Sequence, residues 1–460
     1  MKQLLDTLIT ELGSSIALSG NDSLERYAVD WSRENPCTPE VVLRPTSTQQ
    51  VSTILRLCNQ ARQPVVTQGG MTGLAGGATP QPGEWVLSLE KMNGVVDLDA
   101  DSMTLTARAG TPLETLQIAA REAGFMLPLD LGARGSCTIG GNIATNAGGN
   151  QVIHYGMTRA LVLGLEVVMA DGSIISSRNK LIKNNTGFDL KHLFIGSEGS
   201  LGVVTEAILR LFPAMSSRQS ALCAMSEFSD VVALLKSMKR KLPVICSFEA
   251  MWASYYRHAV DVVKCRRDPF EHHHNYYVLL ESEGNDPAND EERFQAALFD
   301  ELESGRLVDA ILARSAQDRQ DFWVIRDAVG EILRSIKHEA NFDIGIPLSE
   351  TESCISEIEA ELNREFPGLF LLIFGHVGDG NIHLIATTGI LQDRDRIYDI
   401  VYRITGAHHG GIAAEHGIGM LKKPWLHLSR NPQEIALMRT LKTAFDPNNI
   451  LNPGRVIGPD

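Results

Sequence analysis

The sequence has no C-x-x-C pair, no apolar run of the roughly 18 residues that cross a bilayer, no low-complexity tract, no internal repeat and no excess of positive charge. Each absence removes a class. Seven cysteines (Cys37, Cys58, Cys137, Cys223, Cys246, Cys265 and Cys354) are scattered and odd in number. That pattern reads as reduced thiols in a cytosolic protein rather than a disulfide framework. A formal net charge of −14 argues against nucleic acid as the main partner, because phosphate binding needs a basic surface. The opening stretch MKQLLDTLITELGSS carries acids inside its apolar run and resembles an amphipathic helix rather than a secretory signal. Two nucleotide fingerprints are missing as well: no G-x-G-x-x-G lies between a strand and a helix, and no G-x-x-x-x-G-K-[ST] occurs.

What the chain does have is length and clustered glycine. At 460 residues it exceeds what one hydrophobic core organises, so two or three domains are expected. An apolar fraction of 43% and a charged fraction of 21% are ordinary for a globular protein. Between Gly69 and Gly202 the glycines recur in "TQGGMTGLAGGATP", "CTIGGNIATNAGGN" and "FIGSEGSLGVVTE". Strand-like runs adjoin them at Pro64–Thr67, Leu161–Met169 and Val203–Leu211, and helical periodicity marks Thr48–Ala61 and Pro112–Ala123. This is an α+β or α/β domain that ends near Pro213. Beyond it the glycines thin out, helix-like segments run over Asp230–Lys241 and Asp290–Leu302, and a boundary falls at about 213–217. Strand signals return at Phe342–Ile346 and Leu371–Ala386, and a helix-like run covers Pro432–Phe445. Glycine-rich turns either close tight loops or present successive N–H groups as a nest for a diphosphate. Three clusters in one domain favour the nest.

One phrase carries candidate metal ligands. In "FGHVGDGNIH" (Phe374–His383) an apolar strand enters a Gly-Asp-Gly-Asn turn and another leaves it, with a histidine at each edge. On residue types alone the two imidazoles are either a metal site or packing groups beside a hairpin. Asp379 and Asn381 read as turn formers. The triple histidine at 272–274 sits in a polar stretch and reads as a solvated loop.

The motifs "PVVTQGGMTGLAGGATP", "CTIGGNIATNAGGN", "GSEGSLGVVTEAILRLFP", "GHVGDGNIH", "AEHGIGMLKK" and "DPNNILNPGRV" follow one another in the order of a known family. From about Arg44 to Val456 the chain resembles the FAD-linked D-2-hydroxy-acid dehydrogenases of the vanillyl-alcohol-oxidase (PCMH) type. That group includes D-2-hydroxyglutarate dehydrogenase, D-lactate dehydrogenase and the glycolate oxidase FAD subunit. The resemblance implies an α+β fold. It divides the chain into a PCMH-type FAD-binding domain over 1–214 (core about 38–214), a substrate-binding cap with antiparallel sheet and helices over 215–405, and a C-terminal helical segment over 406–460. It implies oxidation of a D-2-hydroxy acid to the 2-oxo acid, with hydride transfer to flavin N5.

The resemblance also assigns residues. Gly69, Gly70, Thr72, Gly73, Leu74 and Gly76 would cradle the FAD pyrophosphate. Cys137, Thr138, Gly140, Gly141, Asn142, Thr145, Asn146 and Gly149 would line the flavin and its ribityl chain, preceded by Pro128 and Asp130. Val203 and Val204 would pack at the adenine side, and Asn452 would reach back to the flavin. His376, His383 and Glu415 match a divalent-metal site, usually zinc; manganese, iron and cobalt suit the same ligand types. His416 would be the general base and Arg326 the grip on a substrate carboxylate.

Three positions depart from the hydroxyglutarate pattern: Gly330 replaces a threonine, Asn341 a lysine and Ile385 an asparagine. Fewer donors for a second carboxylate favour a D-lactate-like monoacid, with D-2-hydroxyglutarate as the alternative. A flavin oxidase using oxygen and an idle flavin-binding subunit are the other readings. Without an NAD fingerprint, electrons are expected to pass to an electron-transfer flavoprotein or a quinone. The expected location is the cytoplasm, with the acceptor as the link to a membrane, and a homodimer is compatible with this reading. Relatives that tether their flavin do so through a histidine in the first glycine loop, and "TQGGMTGLAGG" has none. The FAD is therefore expected to be non-covalent. Acid precipitation of the purified yellow protein should release all of its FAD into the supernatant; flavin retained in the pellet would show a covalent bond.

Overall fold

A computed structural model describes residues 2–18 and 24–458, which divide into two compact units. The first comprises Met1–Gly149, Tyr155–Ala214 and Glu415–Asp460; the second comprises Asn150–His154 and Met215–Ala414. No helix among the described residues is long and apolar enough to cross a membrane. The seven cysteines are free thiols.

The first unit is built on two sheets. Four strands lie in the order Ala17–Leu18, Val42–Leu43, Trp85–Ser88, Val65–Gln68, the last three mutually parallel. Five antiparallel strands follow the order Val95–Asp99, Thr104–Arg108, Val203–Arg210, Val162–Val168, Ile174–Ser177. The Thr48–Ala61 helix forms where its periodicity predicts. Ser47 caps it by accepting from the Gln50 N–H, and Val51, Ile54, Leu55 and Cys58 form its buried stripe. The C-terminal tail folds back onto this unit: Val65 N–H donates to the Ile450 carbonyl at 2.7 Å, and Asn452 N–H to the Val65 carbonyl at 2.9 Å. Arg455, 1% exposed, is buried in an ion pair with Glu84 and also donates to the Thr79 carbonyl. Breaking such a pair on one side leaves a buried charge uncompensated, so the pair fastens the tail.

The second unit is one seven-stranded antiparallel sheet in the order Asp309–Leu312, Ser217–Met225, Tyr276–Gly284, Val244–Trp252, Phe370–His376, Asn381–Thr387, Ala340–Gly345. The expected helices are present as Phe228–Lys241 and Pro287–Glu303, the latter beginning early because Pro287 occupies its first turn. The expected hairpin is present too. Three nine-residue strands, Ser217–Met225, Val244–Trp252 and Tyr276–Gly284, lie in a region that reads as helix-rich from sequence. They are buried almost throughout, on both faces of the sheet, so the two-residue alternation that reveals a strand is absent. The triple histidine lies in irregular chain, with His272 and His273 exposed.

Register decides which side chains share a face. Asp343 lies opposite His383, and His383 opposite Phe374. Asn341, Ile385 and Leu372 form the next row on one side; Gly345, Asn381 and His376 form the row on the other. Met251 pairs with Phe374 across the neighbouring strand, so Glu249, two residues earlier, points to the same face beside His376. The Ala253–Arg257, Ala316–Arg326 and Val329–Ser335 helices contribute Tyr255, Phe322, Ile325 and Ile332 to the apolar cluster on that face.

Candidate flavin cleft and imidazole cluster

In the first unit, the Val65–Gln68 strand runs into the first glycine loop. Among the described residues, none of the backbone N–H groups from Gly69 to Gly77 donates to a protein acceptor. Met71 (φ 58°) and Gly76 (φ 69°) take left-handed conformations that alternate the chain direction, as a nest requires. Gly73 and Leu74 form the exposed tip. The base of the loop lies tight against the second glycine segment. A Cβ at Gly70 would overlap the Ser136 carbonyl, and one at Gly69 the Thr138 hydroxyl. A Cβ at Gly140 would come within 2.7 Å of Ala109. Two buried hydroxyls, Thr67 Oγ1 and Thr138 Oγ1, have no hydrogen-bond partner among the described residues.

The remaining expected flavin residues are distributed around this loop. Thr67, Gly69, Gly140, Gly141, Val203, Val204 and Asn452 line one cleft of about 60 Å³. Asn452 is held there by accepting from the Thr67 N–H at 2.8 Å and donating to the Glu198 carbonyl at 2.7 Å. Asn142 is buried and donates to Cys137 Sγ at 3.6 Å, and burial pushes the Cys137 thiol up. Thr145 Oγ1 donates to the Gly141 carbonyl at 3.2 Å, and Asn146 accepts from the Arg159 N–H at 2.9 Å. Gly149 packs on the Asp130 carbonyl so closely that a Cβ would overlap it, and Pro128 is buried nearby in sequence. Thr72 is half-buried in the first loop. A run of undonated N–H groups beside two orphaned hydroxyls fits the phosphates and polar chain of FAD.

Glu198 is a residue that sequence reasoning missed. Sitting at φ 51° in the third glycine cluster, it accepts from Ile418 N–H at 2.7 Å and Gly419 N–H at 2.9 Å. A Cβ at Gly417 would approach its carboxylate to 2.6 Å. Burial raises the Glu198 carboxyl despite those two donors. The loop immediately after Glu415 and His416 is thus hung on one buried carboxylate.

In the second unit, His376 and His383 meet across the hairpin with ring centroids 5.3 Å apart and a nitrogen of each within 4.8 Å of the other. His383 lies over Phe374 (5.1 Å), and its Nδ1 is 3.9 Å from Asp343 Oδ1. Asn381, expected as a turn former, is instead a strand residue whose amide donates to Asp343 Oδ1 at 2.6 Å. Asp379 does shape the turn by accepting from the Asn381 N–H at 3.3 Å, and burial pushes its carboxyl up to about 6. The chain returns to this sheet at its end: Ala414 N–H donates to the Asp343 carbonyl at 3.0 Å, and Glu415 and His416 are the next two residues along the chain.

The second missed residue is Glu249. Its Oε1 lies 2.7 Å from His376 Nδ1, while Oε2 accepts from Arg326 Nε at 2.9 Å and lies 2.8 Å from Nη2 in the ion pair. Burial favours the protonated carboxyl, but its partners His376 and Arg326 outweigh it and hold Glu249 down at about 2. Arg326 is therefore already engaged, with Nη1 3.3 Å from Asp327 Oδ1 and Nη2 3.3 Å from His376 Nε2. A histidine whose Nδ1 is bonded to a carboxylate and whose Nε2 bears a lone pair has the makings of a metal ligand. With a second imidazole alongside, the donor set fits zinc and its neighbours.

Comparison with known proteins agrees with both halves. The family model described as FAD binding domain matches residues 39–178, and that of FAD linked oxidases, C-terminal domain, matches residues 214–456. The mitochondrial D-2-hydroxyglutarate dehydrogenase of Arabidopsis thaliana is 37% identical over 449 residues, covering 97% of this chain and 80% of that protein. The D-2-hydroxyglutarate dehydrogenase of Xanthomonas citri pv. viticola is 37% identical over 440 residues, covering 94% and 92%. Among solved structures, p-cresol methylhydroxylase with substrate bound has a TM-score of 0.79 at 17% identity over 99% of this chain and 97% of that one, a likeness of fold. These matches bear out the expected family, the α+β fold and the FAD.

Gly70→Ala drives a methyl group into a backbone carbonyl, and a backbone atom cannot swing aside as a side chain can. The purified variant should carry less than about a tenth of the wild-type flavin per chain, read from absorbance after unfolding. Full flavin occupancy would show that the loop base plays no part in binding.

Proposed function

Because the chain belongs to the family of FAD-linked oxidases that includes the D-2-hydroxyglutarate dehydrogenases, we propose that it is a metal-dependent dehydrogenase of a D-2-hydroxy acid. The observation that carries the proposal is the pair of imidazoles facing each other on one hairpin, with Ala414 bonded to Asp343 directly before Glu415. His376, His383 and Glu415 would hold the ion. Zinc suits that set best, and manganese, iron or cobalt would serve.

Each residue then has a task. FAD, held non-covalently by the glycine loops, supplies a hydride acceptor for the substrate α-hydrogen. The ion supplies a Lewis acid that makes the substrate hydroxyl easier to deprotonate. His416 takes the hydroxyl proton, a role that imidazole fills near neutral pH. Arg326, held by Glu249 along its Nε edge, would turn its Nη1 side to the substrate carboxylate. Electrons leave for a carrier other than NAD, an electron-transfer flavoprotein or a quinone, in keeping with the missing dinucleotide fingerprint. A cytoplasmic location suits the unpaired thiols.

The wall beside the imidazoles bears on the substrate. Ile385 is 3% exposed and belongs, with Leu372 and Phe374, to the apolar cluster. Asn341, in the same row, is exposed, and Gly330 offers no side chain. This wall favours a substrate whose far end carries no second carboxylate, whereas the names of the relatives point to D-2-hydroxyglutarate.

A panel of D- and L-2-hydroxy acids decides. The expected order is D-lactate-like monoacids above D-2-hydroxyglutarate in kcat/KM, with L-isomers inactive. Each charge-assisted bond missing at the far end is worth about 1.5–3 kcal/mol, or roughly ten- to hundred-fold. A ten-fold preference for D-2-hydroxyglutarate would overturn the substrate reading. Metal content at one ion per chain in both His376→Ala and His383→Ala would overturn the ligand reading.

A further inference from the structure

We infer that Glu249 is the positioning residue of this site: one buried carboxylate fixes the tautomer of His376 with one oxygen and the direction of Arg326 with the other. The inference rests on the metal and substrate roles proposed above and deepens them.

The donor and acceptor inventory of the three groups fixes the tautomer. A carboxylate accepts and cannot donate, so the His376 nitrogen 2.7 Å from Glu249, Nδ1, must carry the proton. A guanidinium donates and cannot accept, so the nitrogen 3.3 Å from Arg326, Nε2, must carry the lone pair. Carboxylate and guanidinium flank the ring on opposite edges and demand the same tautomer. Glu249 is 1% exposed and Arg326 8%, so water does not compete for these bonds. The lone pair that results is the one a metal would take.

The second oxygen does a separate job. By accepting from Nε and lying 2.8 Å from Nη2, it holds one edge of the guanidinium. Nη2 also reaches His376 Nε2, the atom that would bind the ion, at 3.3 Å, and Glu249 keeps the arginine beside it. A purely architectural role, joining the Val244–Trp252 strand to the Ala316–Arg326 helix, would predict lost stability and nothing else.

Glu249→Gln separates the two roles, because it keeps the shape and exchanges one acceptor oxygen for a donor. If the amide oxygen stays on Arg326, the new NH₂ faces His376 Nδ1 and forces the proton to Nε2. Two measurements follow on FAD-loaded protein. The first is the ¹⁵N spectrum of chelator-stripped, histidine-labelled protein, with His376 assigned by its absence in His376→Ala. Wild type should show the Nδ1–H tautomer and Glu249→Gln the Nε2–H tautomer. The second is zinc affinity by competition with a chelating dye, which should weaken about ten- to hundred-fold in Glu249→Gln at unchanged flavin content. An Nε2–H tautomer in stripped wild type overturns the inference, and so does a variant that keeps the wild-type tautomer and zinc affinity. Should Glu249→Gln fail to fold, the wild-type spectrum still decides. Wild type that binds no zinc sinks the metal reading but not this one, which then stands or falls on the tautomer.

Discussion

The pairing of Phe374 with His383 across one hairpin is the constraint on which the chemistry of the second unit depends. It puts His376, His383, Asp343 and, through the adjoining strand, Glu249 on a single face of the sheet. Strand side chains alternate strictly, so a slip of one residue would turn these groups to the other face and bring Ile373, Ile382 and Ile344 in their place. Both alternatives would bury apolar area. What selects between them is the unequal lining of the two faces. The helix Arg394–Ala407 presents Tyr398 and Tyr402 to Phe342, whereas Arg326 on the opposite side has a buried charge to satisfy. A buried guanidinium without a carboxylate costs several kcal/mol, about 3–5 by the usual measure of broken buried pairs. The register that pairs Arg326 with Glu249 avoids that cost and creates the site as a consequence.

Both units use the same device, a buried carboxylate at the point where a functional segment must be held. Glu198 accepts two backbone N–H groups of the loop that follows Glu415 and His416, and Glu84 takes the Arg455 guanidinium that fastens the tail. Glu249 does so for His376 and Arg326. In a low-dielectric interior such bonds are strong, and a missing partner is costly, which makes each a specific rather than an adjustable contact. Electrostatics separates their states. Glu249, bonded by His376 and Arg326, is held down at about 2, whereas Glu198, bonded by two backbone N–H groups, is raised by burial.

Much of this was legible in the sequence, for identifiable reasons. The Thr48–Ala61 and Pro432–Phe445 helices carry clear apolar spacing and strong caps, Ser47 in one case and the Asn431/Glu434 capping box in the other. The hairpin announces itself through its glycine turn. Motif order marks the glycine loops and the histidines, and the structure places His376 with His383 and Gly69 with Thr138. Glu249 and Glu198 were not legible. Glu249 lies in a strand with no polar alternation, inside "SFEAMW", where it looks like an isolated acid among apolar residues. Glu198 sits in a glycine cluster, where the flanking glycines draw attention away from the side chain they make room for. Turn composition marks Asn381 as a turn former, whereas its role, bonding Asp343, depends on a cross-strand neighbour 38 residues away. Local pattern reports periodicity and turns; it does not report which distant partner a buried polar group will find.

The central claim, that metal and flavin act on one D-2-hydroxy acid, is tested most directly by following flavin absorbance in anaerobic protein as D-lactate or D-2-hydroxyglutarate is added. The same preparation is measured as purified, after a chelator has stripped it, and after zinc has been returned. The account predicts bleaching that disappears on stripping, returns with zinc and is not produced by the L-isomers. Bleaching that proceeds at the same rate in stripped protein would contradict it.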